Sequence, residues 1–225
     1  MIFYELVRAF PEGSSSASRM ALTARNLGYQ GIIICNCDPG NIFMPAACES
    51  IKGIDVTIGA EVTASNARAL KSRIDALRAR YPFLLVRANS EETARIASED
   101  PNVDLLLYPN EIRRLLTIAT ARAAKLNQIT IGFDLSPMIQ MRGEKRARFL
   151  QALRLNLQLL RKFEIRPAIT VCARSHLDLR SPRDLIALAE VAGFLPSEAK
   201  DAISWQAALL DLNRRKWVAP GVELL

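Results

Sequence analysis

Four carboxylates lie at or near the ends of short apolar runs and are the first candidates for chemistry: Glu5, Asp38, Glu61 and Asp134. Carboxylate oxygens at such positions could hold a magnesium ion or act as a general acid and base. The alternative is structural, with Glu5 and Glu61 paired with arginines inside the mouth of a barrel. The single histidine, His176, excludes a multi-histidine metal cluster.

The segment Asp178–Leu185 (DLRSPRDL) predicts a capped helix start that could bind phosphate. Ser181 is a strong N-cap, the following proline suits the first helical position, and Asp184 suits a capping box. The free N–H groups at such a helix end bind phosphate, and Arg180 and Arg183 would flank them with charged donors. The alternative is a capped surface helix in which Arg183 and Asp184 pair with their neighbours.

A second basic helix start is predicted at Arg142–Arg148 (RGEKRAR), which includes Lys145 and Arg146. Positive charge at a helix N-terminus opposes the helix dipole and costs a few tenths of a kcal/mol or more per residue. This cost at several positions indicates an external anion that offsets it. Arg154 and Arg161 extend the polar face along the same predicted helix, although a solvated basic face remains the alternative.

The positive charge of the chain is concentrated in its second half. The net charge is +7, with −2 in residues 1–112 and +9 in residues 113–225, and arginine supplies 23 of the 30 basic side chains. The planar guanidinium group binds phosphate through two parallel donors, which a lysine does not. We therefore expect a polyanionic partner, with solubility as the alternative explanation.

Nucleophilic and thiol chemistry have little support in the sequence. The motif G-x-S-x-G is absent, and Ser175–His176 has no defined third partner. His176 could be a general base; an exposed loop histidine that contacts solvent or RNA is the alternative. The four cysteines, at positions 35, 37, 48 and 172, form one C-x-C pair and no C-x-x-C pair, so we expect reduced cysteines in or near the core rather than a zinc site.

Short apolar runs alternate with helical patterns along the whole chain, and most of these runs are apolar throughout, as in parallel strands covered on both faces. The predicted strands are Ile2–Leu6, Gly31–Asn36, Val56–Thr63, Phe83–Ala88, Val103–Tyr108, Thr130–Leu135 and Pro167–Ala173. The predicted helices are Ser16–Leu27, Asn66–Arg80, Glu91–Glu99, Glu111–Leu126, Arg142–Phe163, Ser181–Ala192 and Ser197–Ala202. Seven βα units favour an α/β barrel of the triosephosphate-isomerase kind, and an open doubly wound sheet is the alternative.

Length and hydropathy fit one intracellular domain. The chain has 225 residues, half of them apolar. No apolar run approaches the roughly 20 residues that cross a bilayer, and the N-terminus lacks a signal-peptide pattern. No phosphate-binding glycine motif follows the first strand, which argues against dinucleotide-binding and nucleotide triphosphatase folds. We expect a soluble, cytoplasmic protein with a single barrel domain over residues 1–225, its core at about 2–204 and an extension at 205–225.

Several segments together resemble one family, the ribonuclease P protein component 3 family, which comprises the thirty-kilodalton barrel subunits of the archaeal and eukaryal enzyme. The resemblance runs from Phe3 to about Ser204. It rests on LGYQG at 27–31, GAEV at 59–62, EDPNVD at 99–104, the helix from Arg146 to Lys162, and DLRSPRDLIA at 178–187.

The chain departs from the family pattern at a few places. Glu5 stands where the family usually has aspartate, and YPNE at 108–111 stands where it often has a turn like His-Pro-Glu. Arg113 and Arg114 replace a basic loop that contains more glycine and aspartate. The tail after Ser204 shows no family pattern. These departures bear on the details of RNA contact.

The resemblance implies a barrel related to metal-dependent phosphoesterases of the PHP type that has lost most of their metal ligands. It implies a ribonucleoprotein subunit that supports removal of the 5′ leader from precursor tRNA, with catalysis by the RNA and its bound magnesium. The implied partners are the RNase P RNA, a small ferredoxin-like protein subunit, other RNase P proteins and, indirectly, precursor tRNA. With no catalytic or metal-ligating residue expected, the predicted RNA-binding residues are Arg113, Arg114, Lys145, Arg146, Arg174, Arg180 and Arg183.

Two other functions remain open from the residues alone. One is a metal-dependent barrel phosphoesterase that uses Glu5, Glu61 and Asp134, which would then lie near one rim. The other is a protein scaffold whose basic faces bind acidic partners rather than RNA.

Overall fold

The structure, a computed structural model, describes residues 1–42, 51, 53–64, 66–109, 115–214, 217–219 and 222–223. Its strands are β1 (Tyr4–Val7), β2 (Gly31–Asn36), β3 (Asp55–Val62), β4 (Leu84–Arg87), β5 (Leu105–Leu107), β6 (Thr130–Asp134), β7 (Pro167–Thr170), β8 (Trp217–Ala219) and β9 (Val222–Glu223). Its helices are α1 (Ala17–Asn26), α2 (Ala67–Arg78), α3 (Glu91–Glu99), α4 (Ile118–Leu126), α5 (Ser136–Gln140), α6 (Gly143–Phe163), α7 (Pro182–Ala192) and α8 (Pro196–Arg214). No helix within these ranges is long and apolar enough to cross a membrane.

Strands β1 to β7 pair in chain order and are all parallel, which confirms the predicted barrel. The sheet closes where Val7 forms a parallel bridge with Ala173, and the Arg8 N–H donates to the Ala173 carbonyl at 2.8 Å. A barrel places the ends of all its strands at two rims. The C-terminal rim, with the loops that follow each strand, is where ligands bind in such folds.

The barrel interior is a packed apolar core closed at its N-terminal end by α8. The inward-facing cluster includes Leu6, Ile33, Leu85, Leu105, Leu107 and, from α8, Trp205 and Leu210. Gly132 on β6 is required by this packing, because an added Cβ would lie 2.7 Å from Leu107 Cδ2 and 2.8 Å from Leu105 Cδ1. The outer face of the sheet packs against the helices in a larger apolar cluster.

Polar side chains cap several helices and explain where they begin. The side chains of Ser16, Asn66, Ser90, Thr117 and Ser181 each accept a hydrogen bond from the first turn of α1, α2, α3, α4 and α7. The cap at Thr117 starts α4 at Ile118, so the predicted helix is wrong over residues 115–117, whereas its predicted start at Glu111 lies outside the described residues. The short helix α5 was not predicted; it is only five residues long.

Helix α8 extends to Arg214, twelve residues beyond the predicted end at Ala202. The helix continues because Trp205 and Leu210 are buried under the barrel. Near its end, Asn213 Nδ2 donates to the Pro82 carbonyl at 2.8 Å and to Asp104 Oδ1 at 3.0 Å. Residues 205–214 therefore belong to the barrel rather than to an extension.

Glu5 lies at the seam between β1 and β7 rather than in the mouth. It alternates with the inward-facing Leu6 and is 1% exposed. Its carboxyl group accepts from Val171 N–H at 3.1 Å and from the Thr170 hydroxyl, and Tyr29 Oη lies 3.2 Å from its Oε2. Because none of these partners is an arginine, the expected pairing of Glu5 with arginine is wrong, as is its expected place beside Glu61.

Burial raises the pKa of Glu5 to about 7, although its hydrogen bonds act to lower it. Tyr29 Oη also lies 2.9 Å from the Arg180 carbonyl. A phenol has one proton, so a protonated Glu5 can donate to the Tyr29 oxygen while Tyr29 donates to the carbonyl. Protonation thus satisfies every group at the seam.

We predict that Glu5→Gln removes a pH dependence of stability. The folded protein binds a proton that the unfolded chain releases above about pH 4.5, so the wild-type free energy of unfolding falls between about pH 4.5 and pH 7. Each pKa unit corresponds to about 1.4 kcal/mol. Denaturant unfolding at a series of pH values should give a flatter profile for the variant. Identical profiles would show that Glu5 is ionised in the folded protein.

Candidate nucleic-acid interface

An ion-pair network occupies the mouth of the barrel. Glu61, at the C-terminal end of β3, lies between two guanidinium groups: Arg8 Nη2 is 2.5 Å from Oε2 and Arg87 Nε is 3.1 Å from Oε1. The Arg8 contact lacks the direction of a hydrogen bond and acts as an ion pair. Arg87 Nη1 also lies 3.4 Å from Asp134 Oδ2. The mouth carboxylates therefore have cationic partners within the chain.

The carboxylates also hold the two arginines in their charged form. Burial lowers the pKa of Arg87, but Glu61 and Asp134 outweigh this effect, and the pKa rises above its usual value. The pKa of Arg8 is raised in the same way, with burial opposed by Glu61. The guanidinium groups of Arg8 and Arg87 therefore stay charged at neutral pH and do not exchange protons in this range.

The residues of the mouth do not fit a resident metal ion. Within the described ranges, no three His, Cys, Asp or Glu side chains converge on one point. Glu61 and Asp134 direct oxygens at guanidinium groups. Asp38 bonds with Asn41, its Oδ2 accepting from Asn41 Nδ2 at 2.7 Å. The four carboxylates singled out from the sequence therefore do not assemble into one centre.

His176 fastens two rim loops together. Its Nδ1 lies 2.9 Å from Ser15 Oγ, and its backbone N–H donates to the same oxygen at 3.1 Å. The neighbouring Ser14 N–H donates to the Arg174 carbonyl at 2.7 Å. These bonds join the β1–α1 loop to the β7–α7 loop, so His176 is partly buried rather than exposed as a general base or free loop residue.

The described cysteines are reduced. Cys35 and Cys172 are buried and Cys37 is partly exposed, whereas Cys48 lies outside the described residues. Burial raises the pKa of the Cys172 thiol to about 12 and raises that of Cys35 well above its usual value. Such thiols are poor nucleophiles at neutral pH.

A basic surface lies at the C-terminal rim beside β6 and β7. Helices α6 and α7 run back along the barrel, so both of their N-termini lie at this rim. The exposed side chains of Lys145 in α6, Arg183 in α7 and Arg174 after β7 form no hydrogen bond or ion pair with any described residue. We call these three side chains the free rim cations.

Two other predicted RNA-binding residues have structural partners. Arg146 Nε donates to the Met141 carbonyl at 2.7 Å. Arg180 Nη1 donates to the carbonyls of Leu177 at 3.0 Å and Leu179 at 2.8 Å, which folds it onto its own loop. Arg113 and Arg114 lie outside the described residues.

The negative charge at the N-terminus of α7 comes from a side chain of the same helix, Asp184. Asp184 Oδ2 accepts from the Ser181 hydroxyl at 2.8 Å and from the Ser181 N–H at 3.3 Å, completing the predicted capping box. Its carboxylate lies at the positive end of the helix, where we expected an external phosphate. Arg183, in contrast, points to solvent without pairing with Asp184.

Arg154 and Arg161 are exposed, and their guanidinium groups cap the C-terminal end of a neighbouring helix. Arg154 donates to the Val191 carbonyl at 3.0 Å and to the Ala192 carbonyl at 3.3 Å. Arg161 donates to the Gly193 carbonyl at 2.9 Å and pairs with Glu198. These bonds join α6 to the C-terminal end of α7, and nothing in the local sequence pattern indicated them.

Comparison with known proteins identifies the family. The sequence model described as RNase P subunit p30 matches residues 2–217, beyond the expected limit at Ser204. A Ribonuclease P protein component 3 from Methanosarcina mazei is 33% identical over 228 residues, covering 99% of this chain and 95% of that protein. The protein of the same name from Halorubrum lacusprofundi is 30% identical, covering 97% and 96%.

Solved structures share the fold. A chain of an archaeal Ribonuclease P with mature tRNA, determined by cryo-EM, superposes with a TM-score of 0.84 at 21% identity, covering 99% of this chain and 97% of that chain. A histidinol phosphate phosphatase from Lactococcus lactis, solved with zinc, L-histidinol and phosphate, superposes with a TM-score of 0.54 at 15% identity, covering 86% and 94%.

The family match over residues 2–217, the relatives at 30% and 33% identity and the seven-stranded barrel agree with one another. This chain belongs to the RNase P subunit p30 family.

Proposed function

We propose that this chain, a protein subunit of ribonuclease P in tRNA processing, acts by binding the catalytic RNA and supporting removal of the 5′ leader from precursor tRNA. The observation that carries the proposal is that the cations at the C-terminal end of the barrel fall into two groups, one paired with carboxylates and one exposed at the rim. Arg8 and Arg87 neutralise the mouth carboxylates, whereas Lys145, Arg174 and Arg183, at the rim above them, have no side-chain partner among the described residues. Unpaired cations on a rigid rim are suited to phosphate contacts.

The chain alone is proposed to be non-catalytic. Chemistry on a phosphodiester needs a metal or an acid–base pair at the reacting atoms. The mouth offers Glu61 and Asp134, which already pair with Arg8 and Arg87. The subunit itself needs no cofactor under this proposal, because the magnesium is held by the RNA.

The proposed partners follow from the family. They are the RNase P RNA, a small ferredoxin-like subunit, other RNase P proteins and, indirectly, precursor tRNA. The fold relative was solved in a complex with mature tRNA, which supports RNA as the main partner. We propose that the chain acts in the cytoplasm together with these partners.

The phosphoesterase alternative is not favoured. Glu5 lies at the barrel seam among Tyr29, Thr170 and Val171, away from the two carboxylates with which it would have to cooperate. A scaffold that binds only acidic proteins lacks a supporting observation in the structure.

A reconstitution assay tests the proposal directly. Cleavage of precursor tRNA is measured with catalytic RNA, this chain and the partner subunit, and with each component omitted in turn. We expect no cleavage by the chain alone and increased cleavage at moderate magnesium when it joins the RNA and the partner. Cleavage by the chain without RNA would overturn the assignment.

We predict that Lys145→Ala with Arg183→Ala weakens RNA binding independently of RNA sequence, because phosphate contacts position an RNA without reading it. Each lost contact should lower the slope of log affinity against log salt by about 0.7–0.9. Stability should change by less than about 0.5 kcal/mol, since neither side chain has a structural partner in the described part of the chain. RNA binding across a salt series, with melting temperatures, measures both effects.

The matched control is Lys200→Ala with Arg166→Ala. Replacing these two exposed cations removes as much positive charge as the Lys145→Ala, Arg183→Ala variant does. Arg166, however, precedes β7 at the N-terminal rim, and Lys200 lies in α8. The control should retain the wild-type salt slope. Equal slopes for both double variants would show that binding follows net charge rather than the basic rim.

A further inference from the structure

Two adjoining cavities open in the barrel mouth. The first has a volume of about 480 Å³ and is polar, with Arg8, Arg87, Asp134, Gln140, Arg174 and Asp178 in its wall. The second has a volume of about 200 Å³ and is mainly apolar, with Leu107, Tyr108, Pro109, Pro137, Met141 and Phe149 in its wall. Arg87 and Asp134 belong to both cavities and mark the boundary between them.

The Arg87–Asp134 pair at this boundary is accessible to a ligand, whereas the Arg8–Glu61 pair behind it is largely buried. The side chains of Arg87 and Asp134 are 34% and 20% exposed, whereas those of Arg8 and Glu61 are 13% and 1% exposed. The Arg87–Asp134 contact is also longer, at 3.4 Å. Both groups therefore keep hydrogen-bonding capacity that faces the cavities.

The charges of the polar cavity favour a ligand with both donors and acceptors. Its three arginines are balanced by Asp134, Asp178 and the buried Glu61 behind Arg8, so a bare anion finds no net positive field. Arg174, at the lip, has no partner among the described residues and is free to pair with a phosphate.

We propose that the mouth binds a single nucleotide unit. The base enters the apolar cavity, where Tyr108 and Phe149 offer aromatic contact, and its edge meets Arg87 and Asp134. The ribose and phosphate lie in the polar cavity, where Arg174 and the Gln140 amide contact the phosphate. This assignment rests on the proposed RNA-binding function in one respect only, which is that the nucleotide is taken to be part of an RNA.

Ligand-observed NMR titration of the purified full chain tests the site. The probes are the four ribonucleoside 5′-monophosphates, ribose 5-phosphate and inorganic phosphate. We expect saturable binding of monophosphates with Kd on the order of 1 mM or tighter. Ribose 5-phosphate and inorganic phosphate should bind at least about tenfold more weakly, because they cannot fill the apolar cavity. Equal binding of all probes, or none, would overturn the proposal.

Arg174→Ala and Gln140→Ala test the polar half. Losing a charged hydrogen bond at Arg174 should weaken monophosphate binding by about tenfold or more, with a smaller loss at Gln140. Arg166→Ala, which removes an exposed arginine at the other rim, should leave binding unchanged. Melting temperatures confirm that the variants fold. Unchanged affinity in folded Arg174→Ala would contradict the placement of the phosphate.

Added RNase P RNA separates the two sources of the nucleotide. Displacement of the bound monophosphate identifies an unpaired nucleotide of the RNA as the occupant, whereas retained binding identifies a free nucleotide; either result requires the site. The Lys145→Ala, Arg183→Ala variant should keep monophosphate binding, because neither residue lines the cavities. Failure of the mouth site is therefore distinguishable from failure of RNA binding at the rim.

Discussion

Glu61 is nearly inaccessible at the end of β3, where Arg8 and Arg87 both contact its carboxylate. Removing one partner of a buried ion pair costs about 3–5 kcal/mol, because a charge is left without compensation. The network connects the loop after β1 with β3, β4 and β6 across the mouth, through Arg87 and Asp134. The same contacts direct the oxygens of Glu61 and Asp134 at guanidinium groups, so these carboxylates hold the strands of the mouth together.

Arginines of this chain have three different roles, which can be told apart by what each side chain contacts. Arg8 and Arg87 neutralise buried carboxylates, whereas Arg154 and Arg161 cap the C-terminal end of α7. Arg183, at the other end of that helix, is exposed to solvent and has no such partner within the described ranges. High arginine content is therefore a weak guide to RNA contact, and the unpartnered side chains at the C-terminal rim are the informative ones.

Elements governed by local pattern could be predicted from the sequence. Strand β2 and helix α3 have the predicted bounds, because an unbroken apolar run and a serine cap specify them locally. Helix α8 was predicted too short, since its continuation depends on Trp205 packing into the distant barrel interior. The face on which Glu5 lies was also unpredictable, because an almost wholly apolar strand hides the alternation between its two faces. The partners of Glu61 come from residues far away in the chain.

The metal content and thermal stability of the purified full chain test most directly whether arginine has replaced metal in the mouth. Protein treated with chelator is melted with and without added zinc, manganese or magnesium, and its bound metal is measured by elemental analysis. The account predicts no stoichiometric metal and a melting temperature unchanged within about 1 °C, since an ion that does not bind the folded state cannot stabilise it. One retained equivalent of zinc or manganese, with a rise in melting temperature that Asp134→Asn abolishes, would contradict it.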